Sequence, residues 1–142
     1  MGWNGDADVN TPVSLYEETL KGMFGGMDVE DLVNKLGEQE KKVDKTDYVR
    51  WYFKQGIEID VVNQNDTFDM LFNYVYLSPA CKIKTPRNIG IGSSKEEVLA
   101  AYKDEINKAK SDKEHLVTGK DDVTFIIKDN KVESIFIATG AY

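Results

Sequence analysis

The sequence predicts an α+β fold: two helix-plus-antiparallel-meander repeats, with the helices packed on one face of an antiparallel sheet. Three observations carry it. Apolar residues recur at helical spacing in the first third of the chain. From Tyr48 the period changes to two, and it does so again from Val123. The two regions also align: Gly26-Met-Asp-Val-Glu-Asp-Leu-Val matches Gly92-Ser-Ser-Lys-Glu-Glu-Val-Leu, and Gly26 to Ile57 spans 31 residues, as does Gly92 to Val123. In that register Trp51 meets Val117, Ile59 meets Phe125 and Val61 meets Ile127. Each unit buries one sheet face and is marginal alone, so residues 12–142 are expected to form a single domain of repeat 1 (12–79) and repeat 2 (80–142).

The opening twelve residues, MGWNGDADVNTP, are polar and show no apolar period; residues 1–11 read as a flexible leader without a signal-peptide pattern. Thr11 before Pro12 is an N-cap followed by proline at the first helical position. Val13, Tyr16, Leu20 and Met23 or Phe24 continue that helix, and the glycines at 22, 25 and 26 are expected to end it. Asp28 starts a second helix, with Val29, Leu32, Val33 and Leu36 on one face and Gly37 as its stop.

From Tyr48, residues Val49, Trp51 and Phe53 alternate with Tyr48, Arg50 and Tyr52. After the Gln55-Gly56 turn, Ile57, Ile59 and Val61 alternate with Glu58, Asp60 and Val62. Beyond the polar turn Asn63–Thr67, Leu71, Val75 and Leu77 alternate with Phe72, Tyr74 and Tyr76, and Asn73 breaks the apolar side of the pattern. These segments form a three-stranded meander with one apolar face. A helix follows from Ser94 with Val98, Ala101, Tyr102, Ile106 and Ala109, then a weak edge strand around His115–Thr118. The chain closes on a hairpin: Val123, Phe125 and Ile127 on one face, Asp129-Asn130 as the turn, then Val132, Ile135 and Ile137.

Bulk properties exclude several classes. The chain has 142 residues, 41% hydrophobic and 30% charged, which fits one globular domain. A net charge of −7 argues against nucleic acid and against anionic lipid, both of which need a basic surface. Apolar runs are too short to span a membrane. The single cysteine, Cys81, rules out an intrachain disulfide framework.

The stretch Asn88–Glu97, NIGIGSSKEE, invites a phosphate-cradle reading. A P-loop needs G-x-x-x-x-G-K-[ST], and here Gly90 and Gly92 precede Ser93-Ser94-Lys95, so the spacing fails. A dinucleotide fingerprint needs a third glycine and a parallel βαβ unit. Ser93 with Glu96 and Ser94 with Glu97 are instead capping-box pairs, and the stretch reads as a helix start with Lys95 as a solvated charge.

The segments KTPRNIGIGSSKEEVLAAY, WYFKQGIEIDVV, VYLSPACKI and DDVTFIIKDNKVESIFI resemble secreted proteins and lipoproteins of Gram-positive, gut-dwelling bacteria. In those a T-x-x-G-I-x-I-G-S-S-x-E-E-V-x-x-x-Y segment bridges two halves. The order of helix, aromatic strand and N-K-V-x-x-I-x-I also resembles the β-lactamase inhibitor protein fold, a tandem repeat of helix-turn-helix units on an antiparallel sheet. The small lipoproteins of the outer-membrane barrel-assembly machinery share the unit. The resemblance covers residues 26–137 and implies a secreted or envelope-anchored protein that binds other proteins and catalyses nothing; a lipid anchor in a precursor fits it. The pattern ends its second helix on Tyr-Gly. Here Tyr102 precedes Lys103-Asp-Glu-Ile, so the helix is expected to run on to Lys110.

Few residues point to chemistry. His115 is the only histidine, and any Ser/His/Asp or Cys/His site would have to use it; its place on an edge strand argues for a partly exposed strand residue. Cys81 in PACKI reads as a small buried hydrophobe. Asp60, Asn63, Asn65, Asp66 and Asp69 offer oxygen ligands but lack the EF-hand glycine and glutamate, and hairpin-turn chemistry explains them. No metal, cofactor or catalytic residue is expected.

The outer sheet face is the more informative feature. With Trp51 and Ile59 turned to the helices, Tyr48, Arg50, Tyr52, Glu58, Asp60, Phe72, Tyr74 and Tyr76 face away. Tyrosine and arginine are enriched in protein interfaces because they offer stiff, wide contact with a polar tip. A solvated face, or one covered by the second repeat, is the bland account. The expected function is non-catalytic binding of a protein or cell-envelope component through this face. The rivals are a small hydrolase or ligand-binding enzyme with carboxylates in a cleft, and a structural domain of a surface assembly.

Overall fold

A computed structural model describes residues 14–26, 28–63, 70–120 and 123–138, with the backbone alone at 63 and 70–73. Helix α1 is Tyr16–Phe24 and α2 Val29–Leu36. Strands β1 (Lys41–Asp44), β2 (Val49–Phe53), β3 (Ile57–Asn63) and β4 (Met70–Leu77) follow. Helix α3 (Lys95–Ala101) and a 3-10 turn (Lys103–Glu105) precede β5 (His115–Thr118), β6 (Val123–Lys128) and β7 (Lys131–Ala138). The strands form one antiparallel sheet in the order β1-β2-β3-β4-β7-β6-β5. The architecture is therefore α+β. Leu20, Phe24, Leu32, Leu36, Val98 and Tyr102 from the helices meet Trp51, Ile59, Val75, Phe125 and Ile135 from the sheet in one buried cluster.

Helix boundaries follow local chemistry. The expected start at Thr11 and Pro12, and the leader, lie outside the described residues. Gly25, at φ 79°, ends α1, with its N–H on the Lys21 carbonyl at 3.0 Å. Gly22 does not end the helix; it sits inside it, where an added Cβ would lie 2.1 Å from the Pro86 ring. Its role is close approach. At α3 only one of the two expected capping boxes forms: the Glu97 N–H donates to Ser94 Oγ at 3.0 Å, and the Ser94 N–H to Glu97 Oε1 at 2.8 Å. Ser93 Oγ instead accepts from the Gly90 N–H, and Glu96 accepts from Asn130 Nδ2. Lys95 is half-buried.

Helix α3 stops at Ala101 rather than running on to Lys110. Tyr102 is fully buried, and its hydroxyl donates to Thr85 Oγ1 at 2.9 Å. The chain then turns and lies along β5: the Asn107 N–H reaches the Val117 carbonyl and the Gly119 N–H the Glu105 carbonyl. Those bonds compete with helix continuation, and they cover part of the β5 edge. At the other edge β1 was not anticipated. Its short, lysine-rich stretch has three polar residues of four and shows no alternation, but it pairs fully with β2.

The two hairpins β3–β4 and β6–β7 have the same register pattern. Ile57↔Leu77, Glu58↔Tyr76, Ile59↔Val75 and Asp60↔Tyr74 correspond to Val123↔Ile137, Thr124↔Phe136, Phe125↔Ile135 and Ile126↔Ser134. Each pattern shifts at the next pair, Val61↔Phe72 and Ile127↔Val132. The preceding strands differ by one residue from the sequence alignment. Trp51 pairs with Ile59, but Leu116, not Val117, pairs with Phe125. The reason is turn length: Phe53↔Ile57 encloses one residue fewer than Thr118↔Val123.

Candidate functional site, an aromatic cleft on the open sheet face

The period-two alternation sorts the side chains as the sequence implies. Trp51, Phe53, Ile57, Ile59 and Val61 are buried toward the helices. On the opposite face the register Arg50↔Asp60↔Tyr74 forms one row and Tyr52↔Glu58↔Tyr76↔Phe136 the next. Residues facing each other in such rows touch across the strands. The second half of the chain extends the sheet sideways through β7 and does not cover this face: Tyr74 is 47% exposed and Phe136 41%.

Tyr48, Arg50, Glu58, Asp60, Tyr74, Tyr76 and Phe136 enclose a cleft of about 500 Å³. Six of these belong to the face read from the sequence. Tyr52 stands beside the cleft, with Lys41 Nζ 4.5 Å from its ring centre. Phe72 is placed by backbone register alone. The register shift at Asp60/Val61 places it opposite Val61, a residue of the inner series, and places Leu71 opposite Val62. The extra residue Asn73 is a β-bulge, so the blemish at Asn73 marked a real break in the alternation. The side chain of Phe72 lies outside the described residues.

Phe136 comes from β7, outside the aromatic-rich meander of residues 48–77. The signal was present: Ile135 and Ile137 point in, so the residue between them points out. Its ring centre lies 4.7 Å from that of Tyr76, at an interplanar angle of 38°.

One ion pair forms the floor. Arg50 donates to Asp60 through Nε to Oδ1 at 2.7 Å and Nη2 to Oδ2 at 3.1 Å, and Nη2 also reaches the Tyr48 hydroxyl at 3.3 Å. This bidentate bond to Asp60 raises the Arg50 pKa well above its usual value, so the guanidinium stays charged. Asp60 is buried beneath it. Glu58 differs: its side chain has no hydrogen bond or ion pair among the described residues, although it lines the cleft and is half-buried.

The other sequence candidates sit elsewhere. His115, on the far edge strand, is exposed, and its Nδ1 lies 3.0 Å from Asp112 Oδ1. Cys81 is buried, and burial pushes its thiol pKa up. Asn65, Asp66 and Asp69 lie outside the described residues, and both carboxylate oxygens of Asp60 are engaged by Arg50. Among the described residues no group of three His, Cys, Asp or Glu side chains could hold a metal, and no helix is long and apolar enough to cross a membrane. Comparison with protein-family models, with curated proteins and with solved structures gave no match.

Proposed function

We propose that this chain is a non-catalytic binding module of the bacterial cell envelope or secretome, and that the aromatic cleft is its contact surface for a protein or envelope component. The observation that carries the reading is the exposure of Tyr74 and Phe136 at the mouth of a cleft floored by an ion pair. Large aromatic rings left half in water on a stable sheet cost solubility, and contact with a partner offsets that cost. The sequence resemblance to secreted proteins and lipoproteins supports the compartment. We also read the two halves as copies of one helix-plus-meander unit; the matched register shifts in β3–β4 and β6–β7 support this.

The test is affinity capture from the producing organism and its host fluids, read by mass spectrometry, with three baits. The wild-type chain and a Leu99→Ser control, altered on the exposed side of α3, should recover a common protein. A Tyr74→Ser/Phe136→Ser bait should lose it. Equal recovery by all three baits would remove the cleft from the function.

A further inference from the structure

We propose that the cleft receives a cationic side chain, arginine or lysine, presented by an exposed basic loop of the partner protein. This rests on the binding reading above and names the partner's chemistry. Two features point to a cation, and a third to its source.

The first is charge. Arg50 and Asp60 face the cleft as a neutralised pair, with the guanidinium fork spent on the carboxylate. Glu58 is the remaining charge on the lining and has no partner among the described residues. With Arg50 and Asp60 cancelling, Glu58 leaves the lining one negative charge in excess, which a ligand cation would neutralise. The second is the aromatic wall. The protein already sets cations over its rings, Arg50 over Tyr48 in this cleft at 5.6 Å, and outside its lining Lys41 over Tyr52, Lys42 over Trp51 and Arg87 over Tyr102 at 4.5, 4.7 and 4.7 Å. No described cation stands over Tyr74, Tyr76 or Phe136, whose ring faces offer the same negative potential. The third is scale. The net charge of −7 draws basic partners at long range, and a cleft open at its aromatic rim admits a loop as well as a free small molecule.

The experiment uses the full chain labelled with ¹⁵N. It is titrated with a glycine-flanked peptide carrying two arginines, with the same peptide carrying citrulline, and with tetramethylammonium chloride. Amide shifts locate the contact and calorimetry gives the affinity. The arginine peptide should shift residues 58, 74, 76 and 136 and weaken as salt is raised, while the citrulline peptide should not bind. Glu58→Gln should weaken binding roughly tenfold and Phe136→Ala several-fold. Asp104→Asn removes an exposed acid on the 3-10 turn after α3, outside the cleft lining, changes net charge equally, and should have little effect.

Shifts spread over the acidic surface, or equal loss in Asp104→Asn and Glu58→Gln, would overturn the inference. So would equal binding of the citrulline peptide, or no binding by a chain whose spectrum shows it folded. Tetramethylammonium binding as tightly as the peptide would make the cleft a small-cation site and reject the loop. The two readings fail separately. Cleft-dependent capture without arginine-peptide binding sinks only the cation; capture indifferent to the cleft sinks the binding reading itself.

Discussion

Replacing Arg87 by alanine should destabilise the protein by about 2–3 kcal/mol. The figure comes from what this side chain joins. Arg87 lies in the segment between the two hairpins. Its Nε and Nη2 reach both carboxylate oxygens of Glu18 on α1, at 2.9 and 3.1 Å. Its Nη1 donates to Glu105 at 2.5 Å and to the Ala101 carbonyl at the end of α3, at 3.0 Å. The guanidinium also covers the Tyr102 ring. The Glu18 pair is the more exposed but bidentate, and contributes about 1 kcal/mol, the upper end for such a pair. The Glu105 pair is less exposed and stands beside an otherwise open helix-end carbonyl, so it contributes roughly another 1–2 kcal/mol. At this chain length the sum lowers Tm by about 6–10 °C. Urea unfolding of wild type, Arg87→Ala and Arg87→Lys checks it. Lysine keeps the charge but not the fork and should recover less than half of the loss. A difference between wild type and Arg87→Ala below about 0.5 kcal/mol would refute the claim that this arginine ties α1 to the end of α3.

Three further outcomes follow from the same geometry. Tyr102→Phe keeps the buried ring and removes its hydroxyl bond to Thr85, so it should cost about 1 kcal/mol in chemical denaturation; no change would mean the bond contributes nothing net. The Cys81 thiol should react with Ellman's reagent at mildly alkaline pH at least about ten times more slowly in the native state than in denaturant, because burial both blocks it and raises its pKa. Glu97 is held below its ordinary pKa by the Ser94 backbone N–H and then by the Ser94 side chain. A depressed carboxylate contributes stability above its unfolded pKa and loses it as pH falls through the folded one. Glu97→Gln should therefore be less stable than wild type at neutral pH, with the gap closing as pH falls below the ordinary glutamate range; a gap independent of pH would contradict this.

How far the sequence could be read depended on which physical signal each element carries. Burial on one side of a sheet leaves a period of two, so the inner residues from Trp51 to Val61 and the hairpin turn at Asp129-Asn130 were legible. Capping leaves a pair three residues apart, but the pattern could not choose between Ser93–Glu96 and Ser94–Glu97, because the choice depends on Gly90 and Asn130. Tertiary contacts leave no local signal. The end of α3 is fixed by hydrogen bonds to β5, and β1 by its pairing with β2. The bulge at Asn73 was visible only as a flaw, because a break in the alternation does not say which residue the neighbouring strand skips. For the cleft, alternation supplied six of its residues, while Phe136 needed the β4–β7 pairing that brings it beside Tyr76.

Register-equivalent positions in the two hairpins show what the fold demands and what it leaves free. On the inner face the pairs Ile57/Val123, Ile59/Phe125, Val75/Ile135 and Leu77/Ile137 are apolar in both. Packing against the helices requires that. On the outer face the pairs are Glu58/Thr124, Asp60/Ile126, Tyr74/Ser134 and Tyr76/Phe136, alike only in the last. The same backbone therefore holds its shape with threonine, isoleucine and serine where the first hairpin carries two carboxylates and a tyrosine. Neither strand pairing nor core packing requires Glu58, Asp60 or Tyr74. The position that does agree, Tyr76 and Phe136, is where the hairpins meet and their rings touch. A frame that tolerates a plainer surface, yet bears beside exposed rings a carboxylate with no side-chain partner among the described residues, is what the proposed contact surface requires and stability does not.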